Sequence, residues 1–132
     1  MTTKPKLDPA RLTALKVIAD ERLAVSRATF ETYRGICDRL TEQRRIIEQC
    51  ENDADAAFPS QRSFFRSKVS TAKVEAERLV AERDAALARS EAATEASQTA
   101  GRLYQACRTF AIDRGIVADP QTGAVRKLGV AS

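Results

Sequence analysis

From Phe65 to Ala111 the chain repeats a seven-residue pattern without a slip. Phe65, Val69, Ala72, Ala76, Leu79, Arg83, Ala86, Ser90, Ala93, Ser97, Ala100, Tyr104, Cys107 and Ala111 follow one another in alternating steps of four and three. All but Arg83 are apolar or small. A strand would place its buried residues two apart, so this spacing excludes β-structure here. A strict heptad held this long marks a helix with a single seam wound into a left-handed coiled coil. The seam is bulky at its start, small from Ala86 to Ala100 and bulky again at Tyr104, with Leu103 and Phe110 flanking. Alanine is the best helix former, and small seam residues let two backbones approach closely. The run "AALARSEAATEASQTAGRL" (85–103) therefore reads as a close-packed helix and not as a linker, with Gly101 as its local weak point.

A second stripe precedes it. Leu12, Leu15, Ala19, Leu23, Ser26, Phe30, Tyr33, Cys37, Leu40, Arg44 and Ile47 also advance by three or four, with Ser26 and Arg44 the exceptions to its apolar character. Charges such as Asp20, Glu31, Arg39 and Glu42 fill the positions between them, as on a solvated helix face. The stripe opens on "LDPARL", with Asp8 as N-cap and Pro9 at the first helical position. Between the two stripes lie Asn52, Asp53, Asp55 and Pro59. Proline disfavours helix at the residue before it and suits the first turn of a new one.

The expected fold is all-α: a long antiparallel two-helix coiled-coil hairpin with a short non-helical C-terminal tail. Residues 1–7 form a flexible N-terminal tail and 8–114 the hairpin. Its helices cover about 9–53 and about 61–114, with the turn at about 53–61. Gly115 supplies the C-terminal stop. Beyond it, "DPQTG" separates two short apolar runs, so 115–132 is either a tail or a small β-hairpin. If the turn centres on residue 57, Leu12 and Leu15 lie near Leu103 and Ala100, and Phe30 and Tyr33 face Ala81 to Ala86, large against small. In this register Ala93→Leu or Ala100→Leu is expected to destabilise by overpacking.

Composition narrows the function. Of 132 residues, 22 are Lys or Arg, 18 are Asp or Glu and none is His, for a net charge of +4. Without histidine the chain lacks the side chain that exchanges protons most readily at neutral pH. No glycine-rich phosphate loop, nucleophile system or metal-ligand cluster is present. The expectation is a protein that is not an enzyme and has no cofactor, no metal and no small-molecule substrate. Cys37, Cys50 and Cys107 are an odd number with no CxxC spacing, and they read as three reduced thiols. Cys37 and Cys107 lie on the seams, which leaves Cys50 as the expected exposed thiol. No apolar run reaches the length of a membrane span. "MTTKPKLDPA" lacks a signal-peptide core. These features point to a cytoplasmic protein without direct membrane insertion. The positives from Arg62 to Lys73 carry no acid among them, but no nucleic-acid-binding motif accompanies them.

Two surfaces are candidates for partner binding. One surrounds the turn, "RRIIEQCENDADAAFPSQRSFFRSK" (44–68), where Arg44, Arg45, Ile46, Phe58, Arg62, Phe64, Phe65 and Arg66 combine aromatic and aliphatic surface with charge. Its aromatics either close the turn or form a contact patch for a protein. The other comprises Leu103, Tyr104 and Phe110, which either pack on the Leu12–Val17 turn or present a surface.

The stretches "RLTALKVIADERLAVSRATFETYRGICDRL" and "FFRSKVSTAKVEAERLVAERDAALARSEA" resemble the FliJ-like and YscO-like coiled-coil proteins of flagellar and virulence type III export. The resemblance covers about residues 10–114, while the tail departs from the helical C-terminus common in that family. It implies a non-enzymatic stalk that couples the export ATPase to the export gate and escorts substrate chaperones. Such a protein is cytoplasmic, peripheral at the membrane through a protein complex, and contributes no catalytic residue. The reading from residues alone keeps a second option open: a structural or scaffold coiled coil of another assembly that self-associates.

Overall fold

The computed structural model describes residues 7–117 and contains two helices, α1 (Pro9–Ala56) and α2 (Arg62–Asp113), packed against each other as a hairpin. Among the described residues there is no strand. The expected tail or β-hairpin falls, from residue 118 onward, outside the described residues, as do residues 1–6.

The helix ends follow local chemistry. Asp8 caps α1, its Oδ1 accepting the Arg11 backbone N–H at 2.8 Å, and Pro9 occupies the first helical position, where no N–H is needed. At the other end of the hairpin sequence, Gly115 has φ 71°. Its N–H reaches the Ile112 carbonyl at 3.1 Å, and the Ile116 N–H reaches the Ala111 carbonyl at 2.8 Å. These two bonds make the Schellman pattern, which satisfies carbonyls that the helix leaves open.

The reversal is shorter than expected. α1 continues through Asn52, Asp53 and Asp55 to Ala56, because Ala54 is buried and Asp53 accepts a hydrogen bond from Gln49 at 3.1 Å. Burial on the seam outweighs the weak helix propensity of these residues. Pro59 then turns the chain: the Phe58 carbonyl accepts the Gln61 N–H at 2.8 Å and the Arg62 N–H at 3.2 Å. The turn therefore centres on residue 59 and not on 57. This moves the facing positions along α2. Ser26 meets Thr94, hydroxyl to hydroxyl at 3.1 Å, where the expected register put it opposite Ala88.

The chain divides into two compact units. In the turn unit, Arg27–Glu91, the core is Ile36, Leu40 and Ala54 of α1 with Ala72, Leu79, Ala86 and Ser90 of α2. Burying one Leu or Ile side chain stabilises by about 1.5–3 kcal/mol, so this short list supplies most of the unit's cohesion. Gln43 Nε2 donates to the Ala72 carbonyl at 3.0 Å. Across the helices, Arg39 pairs with Glu82 at 3.8 Å and Lys73 with Glu51 at 3.3 Å. Along α2, Arg78 binds Glu75 and Glu82. The hydrogen bond from Arg78 holds the Glu75 carboxyl below its usual range. The pairing therefore contributes above the ordinary carboxylate pKa and is lost as pH falls through the lowered one. The terminal unit, Met1–Ser26 with Ala92–Ser132, buries Leu12, Ala111 and Ile112, and half-buries Leu15, Ala19, Ser97, Ala100 and Tyr104.

Every α2 heptad position is buried or half-buried, as its spacing requires. The α1 stripe needs correction. Phe30 and Arg44 are exposed, Leu23 is only partly covered, and the seam runs instead through Thr29, Ile36 and Gln43. Phe30 turns outward beside Tyr33, ring centroids 6.3 Å apart.

The burial pattern relocates the overpacking test from the half-buried Ala93 and Ala100 to Ala86, which is 2% exposed. Ala86→Leu is expected to cost about 1–3 kcal/mol in urea unfolding. The glycines give opposite signs. A Cβ at Gly35 or Gly101 meets nothing within 4 Å, so alanine at either is expected to stabilise by about 0.5–1 kcal/mol. Gly115→Ala, at positive φ, is expected to destabilise by about 1–2 kcal/mol in the same assay.

Candidate functional site

Around the turn, the geometry separates the sequence-predicted residues into two groups. Phe58, Arg62, Phe64, Phe65 and Arg66 lie within one turn and the start of α2. Arg44, Arg45 and Ile46 sit on α1 at least ten residues before its end, about 15 Å or more along the axis. Arg45 is also committed locally: its guanidinium donates to Glu42 at 3.1 and 3.2 Å through Nε and holds that carboxyl below the usual range. Ile46 lies at the margin of exposure.

The aromatics do not close the turn. Phe58 is 75% exposed and Phe64 59% exposed, while Phe65 alone is half-buried, on the seam. Phe64 and Phe65 meet edge to face at 5.3 Å between centroids. Lys68 places its ammonium 4.6 Å from the Phe64 ring centre and 5.9 Å from that of Phe65. Lys68 was missed in the sequence reading, although its spacing of four from Phe64 in an acid-free run was a usable signal. Arg62 Nε reaches the Ala57 carbonyl at 3.4 Å, and Arg66 is exposed.

Charges of both signs flank this surface, Asp53 and Asp55 at the end of α1 and Arg62, Arg66 and Lys68 at the start of α2. The first turn of α2 contains no acid, and Arg62 and Arg66 sit where the helix dipole already favours negative charge.

In the terminal unit, Leu103 is 52% exposed and Phe110 is 47% exposed, with the Arg114 guanidinium 5.0 Å from the Phe110 ring centre. Leu103 lies beside Leu15 of the Leu12–Val17 turn without being covered by it, while Ala111 and Ile112 are buried. Leu15, Ile18 and Arg22 of α1, with Glu95, Ala96, Thr99, Ala100 and Leu103 of α2, line an open groove of about 470 Å³. A second hollow of about 410 Å³ shares Leu15 and Ile18 and continues to Ala14, Arg11 and Leu7.

The cysteines are free and all three are half-buried, so Cys50 is no more exposed in class than Cys37 or Cys107. The Cys37 side chain hydrogen-bonds Tyr33 and raises its phenol above the usual value. Among the described residues no group of three Cys, Asp or Glu side chains is placed to hold a metal ion. None of the described helices is long and apolar enough to cross a membrane. No protein-family model, curated protein or solved structure matches the chain.

Proposed function

We propose that the chain is a non-catalytic helical-hairpin adaptor that engages a protein partner through the aromatic and cationic surface at its turn. The observation that supports this reading is the exposure of Phe58 and of Phe64, whose ring lies under the Lys68 ammonium. Two phenyl rings held in water cost free energy in the isolated chain, and covering them on binding recovers about 1.5–3 kcal/mol each. The surrounding cations select a partner with acidic groups at the rim and steer its approach. The partner class is therefore a protein with an apolar patch bordered by Asp and Glu.

The resemblance to FliJ-like proteins gives this reading a specific form, a stalk of the type III export ATPase that meets the export gate and substrate chaperones. Affinity capture from the native host with the full chain tests both levels. A single dominant protein recovered by the wild type, and lost with Phe58→Ala/Phe64→Ala while helicity is unchanged, is the expected result. Lys68→Glu is expected to weaken capture and to reduce its salt dependence. Recovery of an export ATPase or its regulator supports the stalk form; an unrelated partner removes it but leaves the adaptor reading. Capture unaffected by the double substitution would overturn the adaptor reading at this surface.

A further inference from the structure

We infer that the groove of the terminal unit is a docking surface for a second copy of this chain, forming a local antiparallel four-helix bundle. This goes beyond the adaptor reading and rests on different residues. The groove floor is apolar and stepped: Leu15 and Ile18 project from α1, while Ala96 and Ala100 leave a hollow on α2. Ile18 is 42% exposed. A ridge of bulky side chains beside a trough of small ones is complementary to itself when a second hairpin is turned over onto it.

The charges at the rim point to the same occupant. In the turn unit, facing opposite charges are consumed within the hairpin, as Arg39–Glu82 and Lys73–Glu51. In the terminal unit, Arg22 and Glu95 line the same groove, yet neither enters an ion pair with any described residue. A two-fold axis parallel to the helices lays α1 of each copy over α2 of the other, antiparallel. Arg22 of one hairpin then lies over Glu95 of its mate, and the reverse. Ile18 enters the hollow at Ala96 and Ala100. One rotation satisfies the two charges and covers the apolar floor together.

The size of the contact sets its strength. Eighteen residues of α1, Pro9–Ser26, run about 27 Å, and two helices side by side present about 20 Å, so the dimer buries on the order of 1,100 Å² in total. That lies at the lower edge of specific interfaces, and the association is reversible and concentration-dependent.

Sedimentation equilibrium of the full chain over a concentration series tests the inference. A monomer–dimer equilibrium is expected, unchanged by Phe58→Ala/Phe64→Ala. Arg22→Glu and Glu95→Arg are each expected to raise the dissociation constant by about tenfold, since like charges then meet twice. An equimolar mixture of the two variants is expected to associate as the wild type does, because both rim pairs are then restored. Ile18→Gln, at a position 42% exposed in the single chain, is expected to abolish the dimer with helicity retained. A wild-type chain that stays monomeric throughout, a dimer indifferent to these substitutions, or a mixture that fails to recover would each overturn it.

Discussion

Each unit of this hairpin depends on one line of contact between its helices; in the turn unit it is the seam of Ala72, Leu79, Ala86 and Ser90 on α2 with Ile36, Leu40 and Ala54 on α1. Two helices have only one shared face, so each residue on it has to do double work. Small residues let the backbones approach and gain dispersion contacts over a long line. A few large ones, Ile36, Leu40 and Leu79, are the largest side chains buried in the turn unit. No side chain on this list is sealed completely. The hairpin therefore leaves far more apolar surface at its margins than a domain with a three-dimensional core.

That shortage of interior explains how the surface is organised. In the turn unit, charges on facing helices reinforce the seam, and the outer positions carry local pairs such as Arg45 with Glu42 and Arg78 with Glu75. Exposed pairs of this kind contribute little each and are weakened by salt. They keep a thin structure solvated more than they hold it closed. In the terminal unit fewer residues are buried, Arg22 and Glu95 pair with no described residue, and the margin opens into a groove. The two surfaces that carry the proposals, the aromatic turn and this groove, both expose apolar side chains beside charged ones.

Much of the fold was legible because helical spacing and helix ends are local properties. The α2 heptad predicted burial at all fourteen of its positions, and Asp8, Pro9 and Gly115 marked their helix ends through bonds formed within a few residues. The reversal was less legible. Asn52, Asp53 and Asp55 favour turns in isolation, but the burial of Ala54 keeps them helical, and that burial depends on the other helix. The placement of Phe30 on the seam failed as well: spacing alone put it on the stripe, but the ring is 48% exposed and Thr29 is half-buried instead. At the candidate site, the sequence placed aromatics and cations near the turn but could not tell a ring that closes the loop from one that faces water.

The sequence by itself determined that this chain forms two long helices, where each begins and ends to within a few residues, and which face of α2 is buried. Those properties follow from spacing, propensity and capping, which act within a turn or two of the backbone. Only the tertiary structure decided the register between the helices, the identity of the α1 seam residues and the exposure of Phe58 and Phe64. It also decided that Arg22 and Glu95 share one groove rim without pairing. These depend on where the chain reverses and on how closely the opposing backbones approach. A shift of one residue at the reversal moves every facing pair by two.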